Sequence, residues 1–107
     1  MINIPSLSLI ELAGTLGRQR VERPIVEQTI ERIVNYERYR VHQLDLVMAQ
    51  YAATIASTAR LKGADAVFVA LAAWLDLPLV SWDREQRERG AQFCRTMTPV
   101  EAMEVHG

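Results

Sequence analysis

From Ala64 to Asp76 the chain is apolar almost all the way round a helix, and after Pro78 it enters Leu79-Val80-Ser81-Trp82-Asp83, a short apolar run ended by an acid. A helix with no polar face has to be covered on several sides, by a sheet or by a second subunit. A buried helix leading into a short strand is the signature of an α/β fold. Asp65 falls in the first turn of that helix and Asp83 at the end of the strand. In an open α/β sheet the ligand crevice lies outside the carboxyl ends of the parallel strands, where the next helix begins, so both acids can reach one crevice. Two carboxylates gathered there call for a hard cation, and hence for phosphate chemistry.

The remainder of the chain fits the same class. Met1 to Ile4 reads as a short strand-like piece ending at Pro5, and from Ser6 onward Leu9, Leu12, Ala13 and Leu16 recur at helical spacing, giving a first helix to about Arg20. Ser8 and Glu11 have capping-box spacing, and a start at Ser6 fits equally well. Pro24 suits the first turn of a second helix, with Ile25, Ile30, Ile33 and Val34 as its stripe and an end near Tyr36 or Glu37. Tyr39 to Leu44 alternates as a short strand does. Leu46 to Leu61 forms an alanine-rich helix packing through Val47, Tyr51, Ile55 and Ala59, with Gly63 after Lys62 as its terminator. A charged helical turn from Asp83 to Arg89 closes at Gly90, Ala91 to Arg95 gives a last strand, and Thr98-Pro99-Val100-Glu101 opens a terminal helix. With no repeat or linker, residues 1–107 read as one α/β domain with a small, mainly parallel sheet.

Composition narrows the function classes. The chain has 107 residues, half of them apolar, and a formal net charge of -1, which provides no basic field for gripping long nucleic acid. Eleven of its twelve cationic residues are arginine, the residue suited to bidentate phosphate contacts. Cys94 is the single cysteine, so neither a disulfide framework nor a cysteine-rich zinc site can be built, and a reducing cytoplasmic setting is expected. No signal-peptide pattern opens the chain, and the apolar run from Ala64 to Leu75 falls short of the roughly twenty residues a membrane span needs. At this size a homodimer or higher oligomer would help to cover any apolar face left open.

Each acid also has a plain structural role. Asp65 can stabilise a helix start through the macrodipole, and Asp83 can serve as the N-cap of the following helix. Glu11 can be a capping-box partner or a solvated surface residue. Arg84, Glu85, Arg87, Glu88 and Arg89 read as a self-paired charge run, within which one arginine could hold a phosphate. His42 sits on a strand near no other candidate, His106 is next to the chain end, and Cys94 within the last strand has no histidine near it in sequence. No nucleophilic triad and no glycine-rich phosphate loop can be assembled.

Three segments together resemble the PIN-domain nucleases, particularly the VapC-like toxins of bacterial toxin-antitoxin pairs. These are Pro5-Ser-Leu-Ser-Leu-Ile-Glu11-Leu-Ala-Gly-Thr-Leu-Gly-Arg18, Gly63-Ala-Asp65-Ala-Val-Phe-Val-Ala-Leu-Ala72 and Leu79-Val-Ser-Trp-Asp83-Arg84, in that order. The resemblance covers essentially the whole chain. It implies a three-layer PIN-like fold, a parallel sheet flanked by helices, and Glu11, Asp65 and Asp83 as acidic ligands of a Mg2+ or Mn2+ ion. It further implies a metal-dependent endoribonuclease acting on single-stranded or structured RNA, with an antitoxin protein as partner.

The family pattern usually opens with a strand ending in a further metal-binding aspartate, and this sequence begins at what resembles the second strand. The chain therefore reads as the C-terminal portion of the usual fold, N-terminally truncated. Without the central strand, amide and carbonyl groups face a gap that strand pairing across a dimer, exchange of an element or a reordered sheet would have to repair. The alternative function is accordingly a catalytically inactive, PIN-derived module that dimerises or binds an antitoxin. Val47, Tyr51, Ile55, Val67, Phe68, Leu71 and Trp74 supply apolar surface for such a role.

Overall fold

The computed structural model describes residues 1–106, with side chains as far as Glu104. It is an α/β structure, mostly helical, with two small parallel sheets. The chain divides into two units, Met1–Leu44 and Asp45–Gly107.

The first unit runs β1 (Ile2–Pro5), α1 (Leu7–Arg18), α2 (Arg23–Asn35) and β2 (Tyr39–His42). β1 and β2 pair in parallel from Ile2 opposite Tyr39 to Pro5 opposite His42. The Ile2 and Ser6 amides extend the ladder by donating to the carbonyls of Arg38 and His42 at 2.7 and 2.8 Å. An Asn3 to His42 side-chain hydrogen bond of 2.8 Å crosses the same pair. The strand expected over Tyr39 to Leu44 thus forms in its first four residues. Pro24 lies in the first turn of α2, where its missing amide leaves no helical bond unmade.

The Ser8–Glu11 capping box does not form. Ser6 is the N-cap, already helical at φ -57° and ψ -26°, which puts Ser8 inside the first turn with its Oγ buried and unpartnered. Pro5 is the one buried residue of this unit, and Ile25 and Val34, expected on the packing stripe of α2, are half exposed. With two helices over two short strands, the apolar stripes are wider than the layer they cover.

The second unit runs α3 (Leu46–Ala59), α4 (Gly63–Leu75), β3 (Leu79–Val80), α5 (Arg84–Gly90), β4 (Thr96–Met97) and α6 (Pro99–His106). Asp45 caps α3 by accepting a 2.8 Å hydrogen bond from the Met48 amide. Its buried face is Ala52, Ile55 and Ala59, and α4 contributes Ala66, Val67, Val69, Ala70, Leu71 and Ala72. Small side chains on both helices permit close packing around Ile55 and Val69, the largest fully buried side chains. The burial expected of α4 is present. The expected face of α3 is only partly so: Ile55 and Ala59 are buried, whereas Val47 is 59% exposed, and Trp74 on α4 is 62% exposed. These two lie in the first turn of one helix and the last turn of the other, beyond the buried overlap.

Helix ends differ from the sequence expectation. α3 closes at Arg60, which takes the left-handed conformation at φ 56°, and Gly63 instead begins α4. Asp76 closes α4 in the same conformation, at φ 52°. The last strand is also displaced. The Phe93 and Cys94 amides both return to the Gly90 carbonyl, at 2.9 and 3.2 Å, so residues expected to extend from Ala91 instead continue as turns from α5. β4 begins at Thr96 and pairs in parallel with β3, Leu79 opposite Thr96 and Val80 opposite Met97. Cys94 therefore lies in the turn before the strand, half-buried, and burial pushes its thiol pKa up.

A reciprocal capping box opens α6. The Glu101 carboxylate accepts from the Thr98 amide at 3.0 Å and Thr98 Oγ1 accepts from the Glu101 amide at 3.1 Å. These bonds hold the Glu101 carboxyl below its ordinary pKa. The side chain of His106 lies outside the described residues.

Gly90 is buried where α5 meets α4 and β3, and a methyl group there would stand 3.0 Å from Val69 Cγ2 and 3.8 Å from Leu79 Cδ2. Val69 is fully buried and has little room to yield. Gly90→Ala is therefore expected to destabilise the protein by about 1–3 kcal/mol, the usual range for overpacking. Urea unfolding of the two proteins measures it.

Candidate functional site

The second unit brings Asp65 and Asp83 together. α4 starts beside the carboxyl end of β3, placing Asp65 in its first turn. β3 delivers the chain to Asp83, which is the N-cap of α5 and accepts a 3.1 Å hydrogen bond from the Gln86 amide. The capping role read from the sequence is thus real. Asp65 is partly buried, and its pKa is raised, first by that burial and then by the negative charge of Asp83, with a further contribution from Glu85. Lys62 acts in the opposite direction. The charges of Asp83 and Glu85 thus bear on Asp65 across the starts of α4 and α5.

A compact set of hydrogen bonds holds this corner. Ser81 Oγ donates to Gln86 Oε1 at 2.6 Å and accepts from the Asp83 amide at 3.0 Å. Gln86 Nε2 donates to the Asp65 carbonyl at 3.4 Å, a long bond that links α5 to α4. Arg87 donates to the Ser81 carbonyl at 2.9 Å. Within the charge run, Arg84 pairs with Glu88 at 2.7 Å and Arg89 with Glu85 at 2.7 Å, and Arg89 also donates to the Arg60 carbonyl at the end of α3.

Glu11 belongs to the first unit, where it is exposed on α1. Among the described residues, no group of three His, Cys, Asp or Glu side chains is gathered closely enough to hold a metal ion. The second unit contributes a pair of acids, whose hard oxygen donors suit Mg2+ or Mn2+ completed by water and a phosphate.

Sequence reasoning missed Gln86. It lies within a run of charged residues, yet it is 7% exposed and is the one buried polar side chain among the described residues. The spacing Asp83-x-x-Gln86 was the available signal, since it matches a capping box. In the fold the glutamine turns inward, and Ser81 Oγ receives the Asp83 amide in its place.

A cleft of about 520 Å3 opens at the opposite end of β3, between the end of α4 and the turn before β4. Its walls include Ala72, Ala73, Leu77, Phe93 and Cys94, and Arg95 closes one side by donating to the Asp76 carbonyl at 3.0 Å. It shares no lining residue with the corner formed by Asp65, Ser81, Asp83 and Gln86.

Searches against protein-family models, curated proteins and solved structures find no match for this chain. Among the described residues, no helix is long and apolar enough to cross a membrane.

The raised Asp65 pKa sets a pH dependence. A carboxyl whose folded pKa lies above its unfolded value of 3.8 binds its proton more tightly in the folded state. The metal-free protein therefore gains stability from this group as pH falls through the folded pKa toward 3.8, and loses it as pH rises through the same window. Asp83→Asn preserves an N-cap while removing the neighbouring charge. It is expected to lower the Asp65 pKa toward its ordinary value, measured by carboxyl NMR titration.

Proposed function

We propose that this chain is a PIN-like, VapC-type protein whose site is a divalent-metal centre for RNA phosphodiester hydrolysis. The observation that supports this most is the meeting of the two acids at one corner, where Gln86 donates through its side chain to the Asp65 carbonyl and through its backbone amide to the Asp83 carboxylate. There the Asp83 charge adds to burial in raising the Asp65 pKa, an effect that a bound cation would offset. Asp65 and Asp83 are the ligands contributed by the second unit, and Glu11 is the third acid assigned by the resemblance. When bound, Mg2+ or Mn2+ supplies Lewis acidity toward the scissile phosphate and its attacking water. Asp83 orients its carboxylate through the Gln86 amide, and Arg87 stands beside Ser81, where its remaining donors can meet a phosphate oxygen. Exposed single-stranded or looped RNA suits such a corner because its backbone is accessible. Calorimetric titration with Mn2+, followed by an RNA cleavage assay, tests the reading; absence of Mn2+ binding removes it.

A second reading, a catalytically inactive module that dimerises or binds an antitoxin, draws on a different observation. Trp74 and Trp82 are 62% and 72% exposed. Aromatic side chains of that size are enriched at interfaces. Under this reading the protein shows no Mn2+ binding, and light scattering reports a dimer.

A further inference from the structure

We infer that Gln86 is the positioning residue of the acidic corner, a clamp that fixes Asp65 and Asp83 relative to each other; this rests on the metal-site reading above. The case begins with burial. A glutamine side chain removed from water must satisfy its amide inside the protein, and Gln86 does so on both sides. Its oxygen accepts from Ser81 Oγ, and its nitrogen donates to the carbonyl of Asp65. Its backbone amide donates to the carboxylate of Asp83.

One residue therefore touches the peptide that carries one acid, the side chain of the other, and the serine that receives the second acid's amide. No other side chain in the described hydrogen bonds links the start of α4 to the turn before α5. Gln86 need not touch metal or RNA to act. Its effect passes through Ser81 and Asp83, as partners behind metal ligands commonly act by fixing ligand orientation.

The shape of the side chain matters as well as its polarity. An amide supplies an acceptor and a donor from one planar group, which is what the Ser81 hydroxyl and the Asp65 carbonyl require. Methionine has a similar length and supplies neither. Glutamate retains an acceptor for Ser81 and loses the donor.

The test compares wild type, Gln86→Met and Gln86→Glu by Mn2+ calorimetry and by amide hydrogen exchange of the metal-free proteins. Gln86→Met is expected to bind Mn2+ about 10- to 100-fold more weakly, the range for loss of an outer partner of a metal site. Its Asp83 amide, released from an anchored Ser81, is expected to exchange at least about tenfold faster, equivalent to losing one hydrogen bond of about 1.4 kcal/mol. Gln86→Glu, which keeps the Ser81 bond, retains slow exchange at Asp83. A folded Gln86→Met protein with wild-type exchange at Asp83 overturns the clamp, and so does wild-type Mn2+ affinity in that variant. If wild type binds no Mn2+, the metal-site reading falls by itself, and the exchange comparison still decides whether Gln86 anchors the turn. Should Gln86→Met fail to fold, fast Asp83 exchange in Gln86→Glu overturns the inference.

Discussion

On the metal-site reading, Asp65→Asn is expected to abolish Mn2+ binding and to slow RNA cleavage by about a hundredfold or more, while leaving the metal-free protein at neutral pH no less stable than wild type. The two halves of this result have one cause. Asp65 is partly buried beside Asp83, and both features oppose its ionised form. Without a cation, asparagine removes that opposition. With a cation, it removes a ligand, and metal assistance is worth several kcal/mol in a phosphoryl transition state, each 1.4 kcal/mol being about a factor of ten in rate. Titration calorimetry, a cleavage time course and thermal unfolding with and without Mn2+ measure the parts separately. A variant that cleaves RNA like wild type removes the catalytic assignment. One that is markedly destabilised without metal shows that Asp65 serves mainly the start of α4.

Ile55→Ala is expected to produce the largest change in stability, a loss of about 2–5 kcal/mol. Ile55 has no exposed surface and lies on the face that α3 turns toward α4. Much of that face is alanine, so few larger side chains are available to fill the space, and the cavity term persists. Total stabilities of domains this size are about 5–15 kcal/mol, so the loss is a large fraction of the whole. Guanidinium unfolding measures it. Val47→Ala on the same helix, at a residue 59% exposed, is the contrasting control and is expected to change stability by less than about 0.5 kcal/mol.

What could be read from the sequence followed from positions where one physical demand dominates. The burial of α4 was legible because Val67, Val69 and Leu71 leave no polar side to turn outward. Asp83 was legible as an N-cap because aspartate directly after a short apolar run and before a charged turn is among the residues that satisfy first-turn amides. The terminal helix was legible from Thr98, Pro99 and Glu101.

Other features depended on competition between local signals and contacts. Gly63 is the usual helix terminator, yet Arg60 takes the left-handed turn and the glycine opens the next helix. Ala91 to Arg95 has the composition of a strand, but the Gly90 carbonyl captures two of its amides first. The parallel pairing was expected, whereas its division into two sheets was not deducible from alternation of elements. Within the candidate site the acids declared themselves by charge. Gln86 did not, since its flanks, Glu85 and Arg87, gave the whole turn the look of solvent-facing helix.

The two sheets also differ in the length of chain each must close. β1 and β2 meet across residues 6–38, β3 and β4 across residues 81–95, so the first loop is about twice as long as the second. For a flexible chain a doubling of length raises the entropic cost of closure by about 0.6 kcal/mol. The pair with the shorter ladder thus begins from the smaller debt of chain freedom, and the corner that carries Asp83 and Gln86 is built on the more local of the two closures.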